Sequence, residues 1–138
     1  MKKLINMTLM VVLLAAAANA KPNLDKVETA VKGYVVALNS DNAGLRHSAL
    51  YNLAVIKAEY PEIDFSNLDR QLQKMSTKDE YPLIRLHADL TRTYLKDNSL
   101  QSKVQVEANG NPVDFFKNLY LEMESSYAET YAKEVVSR

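Results

Sequence analysis

Residues 79–95 have the sequence DEYPLIRLHADLTRTYL, and residues 41–56 have the sequence DNAGLRHSALYNLAVI. In both stretches apolar side chains recur at steps of three and four residues, which indicates a helix with one apolar face. A shift of 39 positions superimposes them: Leu45 on Ile84, Arg46 on Arg85, Ala49 on Ala88, Asn52 on Thr91 and Ile56 on Leu95. The two stretches are therefore predicted to form equivalent helices.

A second helix is predicted before each of these. A shift of 37 positions superimposes the apolar residues concerned: Val31 on Leu68, Val35 on Leu72 and Leu38 on Met75. The shift grows from 37 to 39 because the turn between paired helices is two residues longer in the second copy. We predict two helical hairpins, 23–60 and 65–98. A period near 40 is typical of solenoids built from two-helix units.

The rest of the chain is predicted to form a loop over 99–111 and a helix over 112–136. The loop contains Val104-Gln105-Val106, which alternates like a brief strand, and the turn signal Asn109-Gly110. Asn111 and Pro112 form a strong helix opening, with a capping amide followed by proline in the first turn. Because two hairpins are fewer than the three units that such arrays usually need, we expect the last helix to cap them. The prediction is one all-α domain with about five helices.

The second hairpin resembles a HEAT repeat in Asp79, Ile84, Arg85 and Ala88. HEAT repeats are helical hairpins that stack into an α-α superhelix, and the resemblance implies binding, not catalysis. It also implies a structural ladder in which aspartates and arginines link neighbouring units. The ladder residues here would be Asp41, Arg46, Asp79 and Arg85. The first copy has one residue fewer between its aspartate and its arginine.

The first twenty residues have the pattern of a secretory signal peptide. Lys2 and Lys3 precede an apolar run at 9–18, and Ala18-Asn19-Ala20 is a small-x-small cleavage motif. Ten apolar residues are too few to span a bilayer. We expect cleavage after Ala20 and export to the periplasm or the exterior of a bacterial cell. Residues 21–138 then form the single domain, with 15 basic and 17 acidic side chains and a net charge of −2.

Composition narrows the functional classes. The chain has no cysteine, which excludes disulfides, thiolate metal sites and a lipid anchor on a cysteine. A charge of −2 without a basic cluster disfavours nucleic acid as a partner. No helix after the signal combines an apolar face with a basic one, so membrane association after cleavage is not expected. No nucleophile motif, phosphate-binding glycine loop or metal-ligand spacing is present.

The candidate binding residues are those on the outer positions of the second hairpin helices: His47 and Tyr51, matched by Leu86 and Leu90. In HEAT-like rods these helices line the concave face, where aromatic and apolar side chains could anchor a peptide or a helix. The alternative is that the four residues pack under the last helix. We predict a non-enzymatic interaction or scaffold module without cofactor, whose partner is a protein or peptide. A small periplasmic enzyme or metal-dependent binder using His47 or His87, the two histidines, is the rival interpretation.

Overall fold

The computed structural model describes residues 23–137, which contain six α-helices and no strand. The helices are α1 Leu24–Leu38, α2 Ala43–Glu59, α3 Asp69–Lys78, α4 Pro82–Lys96, α5 Asn98–Lys103 and α6 Pro112–Val136. One 3-10 turn, Ser66–Leu68, precedes α3. The prediction of an all-α fold is confirmed for this part of the chain. The predicted signal peptide lies outside the described residues and stays a prediction.

Local sequence explains where the long helices begin. The side chain of Asn42 accepts hydrogen bonds from the amides of Gly44 and Leu45, and that of Asn111 accepts one from Val113. These bonds satisfy amide groups that have no partner inside the helix. The prolines at the starts of α4 and α6 lack an amide proton where none is needed.

A short helix, α5, occupies the start of the segment predicted to be a loop. The carboxylate of Asp97 accepts hydrogen bonds from the amides of Ser99 and Leu100, so the residue at the end of α4 also caps α5. Leu100 is buried and fixes α5 against the core. No strand forms at residues 104–106, because no neighbouring extended segment among residues 23–137 is available for pairing.

The helices pack as two pairs that meet through their second members. α1 packs on α2, α3 packs on α4, and α2 contacts α4 directly. α6 contacts α4 and α5. The core lies between these elements, and its fully buried aliphatic side chains include Leu50, Leu53, Leu72 and Leu119.

α2 and α4 bury several matched positions, such as Ala49 and Ala88, but differ in burial at others. Leu50 and Leu53 of α2 are fully buried, whereas Asp89 and Arg92, which lie 39 positions later on α4, are exposed and half-buried. The reverse holds at another matched position, where Ile84 of α4 is buried and Leu45 of α2 is 52% exposed. This is the pattern of two helices side by side, each of which buries the side that faces the other. The side of α4 that faces away from α2 is polar.

Candidate functional site

The first turns of α6 lie across both α2 and α4. Phe115 meets the rings of Tyr51 and Tyr94 edge-on, with ring centroids 5.6 and 5.4 Å apart. Phe116 lies against the two histidines described below, and Leu119 one turn later is fully buried. We call the surface under α6 the docking face, and we define it by the α2 and α4 side chains that contact the two phenylalanines: His47, Tyr51, His87 and Tyr94.

The segment before α6 is also tied to the docking face. The hydroxyl of Tyr51 donates to the carbonyl oxygen of Glu107 at 2.5 Å, and that of Tyr94 donates to the carbonyl oxygen of Val104 at 3.3 Å. Burial raises the pKa of both tyrosines, so these hydroxyls remain protonated donors near neutral pH. A Cβ atom on Gly110 would lie 2.7 Å from the Tyr51 hydroxyl, so this close approach requires glycine.

His47, His87 and Phe116 form a cluster of three rings from three helices. The Phe116 ring stacks on His87 with centroids 3.9 Å apart and planes 8° apart, and the His47 centroid lies 4.9 Å from that of His87. His87 is only 6% exposed, whereas His47 is half-buried. Nε2 of His47 and Nδ1 of His87 are buried without a hydrogen-bond partner among the described residues.

Burial keeps both imidazoles neutral at pH 7. Desolvation, together with a smaller contribution from the nearby His47, lowers the pKa of His87 to about 4. Desolvation also lowers the pKa of His47. Because a neutral imidazole carries no charge that has to be desolvated, His87 can stack on the apolar ring of Phe116.

The predicted ladder residues include a buried ion pair that joins the two helix pairs. Nη2 of Arg46 donates to Oδ1 of Asp79 at 3.1 Å, and its Nε lies 2.9 Å from Oδ2. The side chains are 8% and 7% exposed. The hydrogen bond with Asp79 raises the pKa of Arg46, which therefore remains a cation at every accessible pH.

Arg46 and Arg85 make the same pair of backbone contacts. Nη1 of Arg46 donates to the carbonyl oxygens of Ser40 and Asp41, six and five residues earlier. Nη1 of Arg85 donates to those of Asp79 and Glu80, again six and five residues earlier. In both cases the guanidinium ties the start of the second helix of a pair to the turn before it. Asp41 takes part through its backbone carbonyl.

The four residues predicted to bind a partner do not share one environment. Tyr51 and Leu90 are buried in the core, His47 is half-buried, and Leu86 is 41% exposed. Tyr51 and Leu90 are therefore inaccessible to a partner while α6 is docked. This agrees with the alternative prediction, in which these residues pack under the last helix. Their role in binding stays a prediction. Neither Phe115 nor Tyr94 was among the residues predicted to bind, although two adjacent phenylalanines in the first turns of α6 are a visible signal.

The second half of α6 leaves the core. From Glu124 onward every described residue is exposed except Ser126, which is half-buried. Tyr127 and Tyr131, four residues apart, are 72% and 71% exposed. α6 is therefore held by its first turns, and its remaining length adds little to the attachment.

A surface cavity of about 230 Å³ lies between α3 and α4, away from the docking face. Asp69 lies at its wall with Nε of Arg92 2.7 Å from Oδ1, and Lys96 also contacts this carboxylate. The hydrogen bond from Arg92 is the main reason why the pKa of Asp69 falls to about 2. Arg92 and Lys96 therefore share one internal anion at this cavity.

Within residues 23–137 no group of three or more His, Cys, Asp or Glu side chains is arranged to hold a metal ion. In the same range, no helix has the length and apolar character needed to cross a membrane. Comparison with protein-family models, with curated proteins and with solved structures found no match to this chain.

Proposed function

We propose that this protein is a non-enzymatic protein–protein interaction module of HEAT-like repeat type, exported to the periplasm or the exterior of a bacterial cell. Its proposed ligand is an amphipathic helix of a partner protein, bound on the docking face. The observation that carries the proposal is the position of α6, whose Phe115, Phe116 and Leu119 are buried where the face meets it.

The repeat assignment is supported by two features of the helix pairs. Arg46 and Arg85 make equivalent backbone contacts in the two copies, and the ion pair between Arg46 and Asp79 links one copy to the next. The resemblance to HEAT repeats implies such a link between neighbouring units. Stacked hairpins of this kind present their second helices as a continuous surface.

The proposed binding mode is that of a helix in a groove. In this mode an apolar face with residues three or four apart enters a groove lined by apolar and aromatic side chains. α6 supplies such a face with Phe115, Phe116 and Leu119, so it indicates the chemistry of a partner: two adjacent aromatic residues followed by leucine one turn later. α6 is attached to the same chain at an effective concentration in the millimolar range, so a free partner has to compete with it.

A peptide-binding experiment tests this proposal. The full-length double variant Phe115→Ala/Phe116→Ala vacates the docking face, and a fluorescent peptide with the native sequence of residues 111–124 serves as the probe. We expect the variant to bind this peptide at least tenfold more tightly than the unmodified protein does, as measured by fluorescence anisotropy at pH 7.

Two controls decide the outcome. A peptide in which both phenylalanines are alanine should not bind, and the variant Tyr127→Ala/Tyr131→Ala, altered on the exposed half of α6, should bind as weakly as the unmodified protein. Circular dichroism verifies that the double variant remains helical. The proposal is wrong if a helical double variant does not bind the native peptide, or if the unmodified protein binds it equally well.

A further inference from the structure

We propose that the contact of Phe116 with His47 and His87 is an acid-released latch. Protonation of the histidine pair would detach α6 from α2 and α4 and uncover the docking face. That the release gives a partner helix access to the docking face rests on the proposed function. The release itself does not.

The geometry of the three rings is suited only to neutral histidines. His87 is almost completely buried and stacks on Phe116, while His47 lies 4.9 Å away on its own helix. Nδ1 of His87 and Nε2 of His47 have no acceptor among the described residues. A proton placed on either nitrogen would create a buried charge and a donor without a partner, both of which are costly in an apolar environment.

No anion near the pair compensates such a charge. The ion pairs of residues 23–137 do not include either imidazole. The charged side chains close to the cluster in sequence are Arg46 on α2, Arg85 and Asp89 on α4, and Asp114 and Lys117 on α6. In the elements packed against it, Glu107 is exposed near Tyr51, and Glu122 of α6 pairs with Lys103 of α5. Asp89 and Asp114 are exposed, and Arg46 is already paired with Asp79.

Detachment of α6 would relieve this charge. α6 buries three side chains in its first turns, and its second half is exposed. Removal of Phe116 brings both imidazoles into contact with water, where a cation is stable. The pairs α1–α2 and α3–α4 retain their own contacts and the buried bond between Arg46 and Asp79.

The sign of the pH dependence follows from the direction of the pKa shift. The docked state holds the pKa of His87 at about 4, whereas a solvated histidine titrates near 6.5. Docking is therefore fully favourable above pH 6.5 and weakens as the pH falls towards 4. For His87 alone, the docking equilibrium constant is expected to fall roughly 50- to 100-fold between pH 7 and pH 4.5.

Hydrogen exchange of the full-length protein measures the release. Amide protection in residues 115–119 is compared at pH 7.0 and 4.5 after correction for the intrinsic exchange rate. We expect a loss of protection of roughly 50- to 100-fold in α6, with α2 and α4 much less affected. The double variant His47→Phe/His87→Phe keeps three aromatic rings without a titrating nitrogen, and its α6 should lose at least tenfold less protection between the two pH values than that of the unmodified protein.

Three results would overturn the latch: unchanged α6 protection at pH 4.5, the same acid-induced loss in the double phenylalanine variant, or loss of protection in all helices together. A pH titration of the histidine Cε1–H signals in the unmodified protein gives an independent check, in case the variant does not fold. If His87 titrates near 6.5 while α6 remains docked, the latch is wrong. Peptide binding by Phe115→Ala/Phe116→Ala at pH 7 does not depend on protonation, so failure of the latch and failure of the proposed function are distinguishable.

Discussion

The matched arginines allow the buried ion pair to be measured against an internal control. Arg46→Gln and Arg85→Gln each remove a guanidinium that donates to two backbone carbonyls. The first substitution also leaves the nearly buried carboxylate of Asp79 without its cation. The difference in stability between the two variants therefore reports the ion pair between the two helix pairs.

The expected magnitudes follow from this difference. Removal of one partner of a buried ion pair costs about 3–5 kcal/mol, because the remaining charge is left uncompensated. Loss of the backbone bonds of the half-buried Arg85 should cost about 1–2 kcal/mol. Because both variants lose such backbone bonds, we expect Arg46→Gln to lower the free energy of unfolding by about 3–5 kcal/mol more than Arg85→Gln does.

Urea denaturation followed by circular dichroism at pH 7 is the assay. A third variant, Arg46→Gln/Asp79→Asn, replaces the buried charge with a neutral amide and should recover part of the loss. If the two single variants lose equal stability within the error of extrapolation, or if Asp79→Asn worsens the Arg46→Gln variant additively, the ion pair does not hold the helix pairs together as we argue.

Four further substitutions probe the attachment of α6, each by urea denaturation and helical circular dichroism. Gly110→Ala places a Cβ atom against the Tyr51 hydroxyl and should cost about 1–3 kcal/mol, whereas the same change in a Tyr51→Phe background should cost much less; equal costs would contradict the clash. Tyr51→Phe alone should cost about 1 kcal/mol through the lost bond to Glu107, and no loss would show that water replaces it. Leu119→Ala should cost about 2–5 kcal/mol as a core truncation, and a cost below 1 kcal/mol would mean that α6 is not anchored there. Asn111→Ala removes the N-cap and should cost about 0.5–2 kcal/mol, with a null effect arguing against the cap.

Local pattern predicted the long helices well, because their apolar periodicity and their caps are properties of neighbouring residues. Asn42 and Asn111 cap helices as their positions indicate. Asp97 ends α4 and also caps α5, and α5 was missed because its position depends on the burial of Leu100. Short helices of this kind depend on tertiary packing more than on local propensity.

Long-range contacts were the part that local pattern could not supply. The sequence predicted Arg46 and Asp79 as ladder residues, with one residue fewer between Asp41 and Arg46 than between Asp79 and Arg85. The observed bond joins Arg46 of the first pair to Asp79 of the second, so the spacing within the first copy does not affect it. The position of Phe115 and Phe116 over Tyr51 and His87 likewise depends on how α6 crosses two other helices, which no periodicity within α6 specifies.

The different burial of matched positions on α2 and α4 limits how further helix pairs could be added to this architecture. A third helix pair added beyond α4 would press its apolar surface on Asp89 and Arg92, where α2 has Leu50 and Leu53. Burial of the unpaired carboxylate of Asp89 would oppose that addition. A longer array designed from this chain would therefore need Asp89→Leu and Arg92→Leu before a further helix pair is added.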